Sequence, residues 1–241
     1  MKVNGKADTA LADQYGIAGY PTVILTQPDG TEIDRMYGYY PPEEFLPMLQ
    51  DYLADRNTLA DYLRRADTAA TMEVYNTIGN KYTSRKMFTE AETYYRKILQ
   101  QDPTNKLGYS DSAMYNIGEM KIRAKQFAAA QETFDRLRKT YPESPLFDDA
   151  LYEKAIAMRR ADQFDDAIAG FKEFLSAHPE SDLVPDAKIY VAYCSALKGD
   201  TATALEWYRR FLDEYPESSE IDWIRGQIEK LENPPAEEES N

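Results

Sequence analysis

Cys194 and His178 are the only cysteine and the only histidine in this 241-residue chain, so thiol and imidazole chemistry would have to start with them. A thiol reacts as its thiolate, which forms where a cation, a helix N-terminus or a second cysteine lowers its pKa. Cys194 sits between Tyr193 and Ser195 in an apolar run with no such neighbour, and reads as a buried structural thiol. His178 opens the segment HPES, where sister segments carry the tyrosine of YPES, and reads as a turn residue. One histidine and one cysteine cannot furnish a zinc centre, which takes three or four nitrogen and sulfur ligands. The acid pairs Asp148/Asp149 and Asp165/Asp166 are adjacent, point apart on a helix and cannot act as an acid–base couple. Neither a phosphate-cradling G-x-x-x-x-G-K-[ST] nor a nucleophile-bearing G-x-S-x-G occurs. The sequence predicts no catalytic residue, no cofactor and no metal for this chain.

What the sequence does carry is periodicity. Four segments, beginning at Phe88, Phe127, Phe164 and Thr201, end in Pro103, Pro142, Pro179 and Pro216, spaced 39, 37 and 37 residues apart. Twelve residues ahead of each proline stands an alanine: Ala91, Ala130, Ala167 and Ala204. Four residues after each alanine comes an aromatic (Tyr95, Phe134, Phe171, Tyr208), and three further on a large apolar residue (Ile98, Leu137, Phe174, Phe211). Steps of four and three place all three on one helical face. The small residue lets a neighbouring helix approach, the ring fills the space beyond it, and the proline ends the helix. An amphipathic stretch precedes each segment (MEVYNTIGNKY, SAMYNIGEMKI, ALYEKAIAM, AKIYVAYCSAL), so each repeat holds two helices.

With Gly79, Gly118, Ala155 and Ala192 each twelve residues before a marker alanine, this pattern resembles the tetratricopeptide repeat. The departure is the 37-residue spacing, about one helical turn longer than that family's period, which lengthens either a loop or a first helix. The YPES and HPES endings look most like bacterial envelope arrays, among them Tol-system coordinators and lipoproteins of outer-membrane protein assembly. The resemblance implies a mainly α solenoid of four helical hairpins over 72–216, with a capping helix over 217–232 that places Ile221, Ile224, Ile228 and Leu231 on one face. Residues 233–241 read as a disordered acidic tail. It also implies a protein or peptide partner bound on the concave face, lined by the first helix of each repeat. The exposed positions there are Asn76, Asn80, Tyr115, Asn116, Glu119 and Arg123, followed by Tyr152, Arg159, Arg160, Tyr190 and Tyr193. Asn80 and Asn116 match the subgroup that grips acidic C-termini of chaperones, but Asp149 and Glu153 stand where that subgroup has basic residues, so that reading is rejected.

Residues 1–55 read differently. KVN is extended, ALADQY helical, PTVILT a strand, Asp29-Gly30 a hairpin turn, EIDRMYGY a second strand and PEEFLPMLQDYL a helix that Pro47 should kink or restart. In order and spacing this resembles the second half of a thioredoxin fold, a truncated α/β unit. Pro21 falls at that family's cis-proline, and Tyr20 before it favours the cis isomer. The family's Cys-x-x-Cys lies ahead of the strand that starts here at Lys2 and is absent from this chain, so the remnant should be redox-inert. Without the intervening strand the sheet keeps an open edge. Three outcomes follow: the sequence is a fragment or a wrongly started gene model, the hairpin packs on the first repeat, or another chain supplies the strand; the alternative function is that of a longer thiol–disulfide oxidoreductase or thioredoxin-like chaperone whose repeats recruit clients. Residues 56–71 read as a connecting helix capped by Asn57 and carrying Leu59, Tyr62 and Leu63.

The net charge of −14 leaves no basic surface for nucleic acid. No apolar run is long enough to span a membrane, and the first residues lack a signal peptide's apolar core. A single cysteine fits the cytoplasm, or the periplasm if the N-terminus is truncated. The sequence leaves the oligomeric state open. The reading is a non-enzymatic interaction scaffold.

Overall fold

The computed structural model describes residues 9–17 and 19–234, so the KVN strand and nearly all of the acidic tail lie outside the described residues. The chain forms two compact units, Met1–Ala124 and Lys125–Asn241. The first holds α1 (Thr9–Gln14), β1 (Thr22–Thr26), β2 (Glu32–Tyr37), α2 (Pro42–Leu53), α3 (Leu59–Thr68), α4 (Met72–Ser84), α5 (Phe88–Gln101) and α6 (Ser110–Arg123). The second holds α7 (Phe127–Thr140), α8 (Phe147–Arg160), α9 (Phe164–Ala177), α10 (Val184–Leu197), α11 (Thr201–Glu214) and α12 (Ile221–Glu232). The fold is mainly α, with one two-stranded sheet among the described residues. No helix among them is long and apolar enough to cross a membrane.

The core follows the repeat pattern. Ala91, Ala130, Ala167 and Ala204 are fully buried, and each has its aromatic and its following apolar residue buried with it. Full burial of a large apolar side chain is worth about 1.5–3 kcal/mol, so these sites dominate the stability of each hairpin. In the first unit, Tyr75, Tyr95, Ile98 and Ile117 from α4, α5 and α6 form one cluster. In the second, Tyr208, Phe211 and Ile224 join α11 to α12, with Ile228 and Leu231 packed against them.

The turn inside a repeat hangs on one residue in the left-handed region: Lys86 at φ 58°, Asp162 at φ 58° and Gly199 at φ 86°. The following N–H groups of Met87, Gln163 and Asp200 reach back to the carbonyls of Tyr82, Met158 and Ser195. These bonds satisfy carbonyls that the helix end leaves open. The first and second helices of the third and fourth repeats all run fourteen residues, so the long period is taken up by the connections between repeats.

In the N-terminal segment, β1 and β2 pair antiparallel with a bulge beside Leu25/Thr26. The loop closes through Gly30 at φ 89°, and the Thr31 N–H bonds to the Asp29 carboxylate at 2.9 Å. The Tyr20–Pro21 bond is cis. Two local expectations need correction. Pro47 lies in the middle of α2, which runs through it without restarting, since one proline removes a single ladder bond. The cap of α3 is Thr58, whose hydroxyl accepts from the Asp61 N–H at 3.0 Å; Asn57, at φ 56°, is spent on the turn before it.

The hairpin is held to the first repeat by charge. The carboxylate of Asp34 is fully buried and accepts from the Arg35 N–H (2.7 Å), the Leu59 N–H (2.6 Å), Lys81 Nζ (2.8 Å) and Arg85 Nη2 (2.7 Å). Arg35 answers from the same strand, donating to the carbonyls of Ser84 (2.8 Å) and Tyr15 (2.7 Å) and to Glu32. Burial works against the charged form of Asp34, but Arg85 and Lys81 outweigh it and hold the carboxyl below its usual range.

Two outcomes are expected. Gly79→Ala should destabilise by about 1–3 kcal/mol in urea titration despite alanine's better helix propensity. The added Cβ would lie 2.5 Å from the Tyr95 ring, which is 1% exposed and cannot retreat. Asp34→Asn should cost roughly 3 kcal/mol at neutral pH by stranding Lys81 and leaving Arg85 to Glu32 alone. Because the folded pKa of Asp34 is depressed, its contribution is complete above the unfolded carboxylate value of 3.8 and fades as pH falls through the folded value. The gap between wild type and Asp34→Asn, read from urea midpoints, should therefore close as the pH is lowered below that value.

Candidate functional site

Seven of the eleven predicted contact residues line two clefts, one in each unit: Asn80, Asn116, Glu119 and Arg123 the first, and Arg159, Tyr190 and Tyr193 the second. In the first unit Asn76 and Asn80 stand on α4, and Asn116, Glu119 and Arg123 on α6. The side-chain amides meet: Asn116 donates to the Asn76 oxygen at 3.1 Å, and the buried Tyr95 hydroxyl donates to the Asn80 oxygen at 2.7 Å. Burial pushes the Tyr95 phenol up to about 12, so it remains a donor at any physiological pH. These bonds leave the Asn80 amide nitrogen and the Asn116 carbonyl oxygen without a partner among the described residues. An exposed i, i+4 pair, Arg123 to Glu119 at 3.3 Å, closes the rim. The cleft encloses about 240 Å³ and is lined also by Thr83, Ser84 and, from the end of β2, Tyr37. Sequence reasoning missed Tyr37, which lies outside the repeats. Tyr115 sits half-buried on α6 and does not line this cleft.

In the second unit Arg159 on α8 and Tyr190 and Tyr193 on α10 line a cleft of about 380 Å³. The Arg159 guanidinium lies 5.1 Å over the Tyr190 ring, a cation–π contact, while its Nε is buried without a hydrogen-bond partner. Tyr190 in turn stacks on Phe171 at 5.2 Å and 11°. Tyr152, expected at the surface, is only 6% exposed. Phe171 and Phe174 close over it edge-on at 5.6 Å each, and it acts as a wall behind Tyr190. Arg160 is exposed at the end of α8. The cleft also takes Asp186, Glu220 and Trp223, which the sequence reading did not select. Trp223 packs on Tyr193 (6.2 Å) and edge-on to Tyr208 (6.0 Å), so α12 supplies both a core face and a cleft wall.

Comparison with known families agrees with this geometry. The profile of a thioredoxin-like domain matches residues 2–53, that of the tetratricopeptide repeat residues 82–157, and one described as an outer membrane lipoprotein residues 146–226. The chain carries tetratricopeptide repeats and a thioredoxin-like N-terminal segment. Among solved structures, MamA aligns at TM-score 0.56 and 16% identity, over 75% of this chain and 98% of its own. YrrB, described as a TPR protein with an unusual peptide-binding site, aligns at 0.52 and 17%, over 78% and 88%. A tetratricopeptide-repeat protein from Parabacteroides merdae aligns at 0.58 and 14%, over 79% and 71%. At these identities the likeness is one of fold. No curated protein matches the sequence.

Neither residue of potential chemistry lines either cleft. Cys194 is fully buried in α10, and burial pushes its thiol up to about 11 although Arg159 pulls the other way. His178 caps the end of α9, with its ring 5.7 Å from Phe174 and 6.1 Å from Phe147. Among the described residues no group of three or more His, Cys, Asp or Glu side chains is placed to hold a metal. At pH 8 roughly one thiol in a thousand would be ionised, and that one is out of reach. Ellman's reagent should therefore leave the folded protein unmodified over the time in which a denatured sample titrates one thiol per chain.

Proposed function

We propose that this chain is a protein-interaction scaffold that holds an extended peptide or a helix of a partner against the first helices of its repeats. The tetratricopeptide fold itself is that of an interaction scaffold; the finer claim is where and how the partner sits. The observation that carries it is the pair of unmatched amide atoms in the first cleft. Asn80 offers one donor and Asn116 one acceptor, the complement of the C=O and N–H of a peptide backbone. Tyr37 and Tyr95 beside them give aromatic walls for a side chain. That YrrB, a fold relative, is described as having a peptide-binding site is in keeping with this reading. The partner is a protein or peptide, and the acidic balance disfavours nucleic acid.

On this reading the thioredoxin-like segment serves as structure. Thiol–disulfide exchange needs two sulfurs within bonding reach, and the chain has one, buried. A second reading rests on the thioredoxin-like match over residues 2–53: the chain would be part of a longer thiol–disulfide oxidoreductase or chaperone whose array recruits clients to a redox centre elsewhere.

The test is to pan a random peptide display library against the purified chain. Recovered peptides should bind the double variant Asn80→Ala, Asn116→Ala at least tenfold more weakly, with its circular dichroism unchanged. Equal binding by the two proteins, or recovery of no peptide at all, would remove the first cleft from the account.

A further inference from the structure

The cleft of the second unit carries a specificity that the repeat fold does not supply. Asp186 on α10 and Glu220 at the start of α12 line the same 380 Å³ space. Asp186 makes no side-chain hydrogen bond or ion pair with any described residue, and Glu220 receives only a 3.4 Å contact from the Ser219 hydroxyl. Several other carboxylates in this unit are matched across helices: Asp135 by Lys154, Glu173 by Arg138, Glu232 by Arg209. Burial and the charge of Glu220 together hold the Asp186 carboxyl above its usual range, as befits two anions with no cation between them.

The opposite walls are aromatic. Tyr190, Tyr193 and Trp223 border the space, and Trp223 leaves 41% of its surface to solvent. The negative faces of such rings attract a cation, most strongly when it is partly desolvated. Arg159, the one cation lining this cleft among the described residues, lies against Tyr190 and pairs with neither acid. Two open carboxylates, ring faces and a volume within the range of ligand pockets, roughly 300–1,000 Å³, define the occupant by its charge.

We propose that this cleft is the anchor point for a basic side chain, arginine or lysine, on the partner segment, held by Asp186 and Glu220 against Trp223 and Tyr193. The inference rests on the peptide-scaffold reading and adds the partner's chemistry to it.

Both acids are exposed and bear no structural bond, so Asp186→Asn with Glu220→Gln leaves shape and fold in place while removing the charge. Peptides selected from the display library on the wild-type chain should be enriched in arginine or lysine at one position. They should lose at least tenfold in affinity for the double variant and weaken with added salt. Glu220→Lys should shift selection toward peptides without that basic residue. A selected pool with no basic enrichment, or one that binds the double variant equally well, overturns the anchor and leaves the scaffold standing. Recovery of no peptide overturns both.

Discussion

Two helices can lie close together only where one of them has almost nothing to put between them, and the repeats of this chain are built on that restriction. The marker alanines are buried without residue, and the ring four positions on fills the room beyond each contact. The constraint is strictest at Gly79, where even a methyl group would enter the Tyr95 ring. That ring is fixed by more than packing, since its hydroxyl bonds Asn80, whose own amide faces the cleft. One side chain thus sets the spacing of α4 and α5 and the orientation of a group placed to meet a partner. Core and cleft in this unit are two sides of the same contact.

The N-terminal hairpin enters the same arrangement by a different force. Its sheet has two strands and few buried apolar side chains, Met36 and nearby Tyr52 among them, too little to hold it in place by hydrophobic contact alone. The buried carboxylate of Asp34 does that work, because four donors converge on it from β2, α3, α4 and the residue that caps α4. Of the three expectations for the open sheet, the structure displays the hairpin fastened to the first repeat. Held there, it brings Tyr37 to the wall of the first cleft.

What could be read from the sequence was what repeats or follows local rules. The alanine, aromatic and proline positions recur four times, so the helices, their buried faces and the marker residues could be placed before any coordinate. The hairpin, α1 and the face of α12 followed from turn chemistry and period. The left-handed turns escaped notice because only Gly199 announces its conformation, whereas Lys86 and Asp162 adopt it as ordinary residues. The Asp34 network was invisible because EIDR reads as any polar strand, and Lys81 and Arg85 lie 47 and 51 residues away. The clefts were half legible. Counting along the first helices finds Asn80, Asn116 and Arg159, but Tyr37, Asp186, Glu220 and Trp223 reach them from elements or faces that the count does not include, and Tyr152 turns inward because two phenylalanines claim it.

The position of Asp34 also bears on where this molecule can be divided. The obvious cut, in the turn between α2 and α3, would separate a thioredoxin-like piece from a clean set of helical repeats. It would also take away the only carboxylates, Asp34 and Glu32, within ion-pair distance of Lys81 and Arg85 among the described residues. The helix that begins the array would then present two half-sheltered cations to solvent with nothing opposite them. Residues 19–85 are accordingly tied together by this network, and the border suggested by family resemblance runs through the middle of a single electrostatic joint.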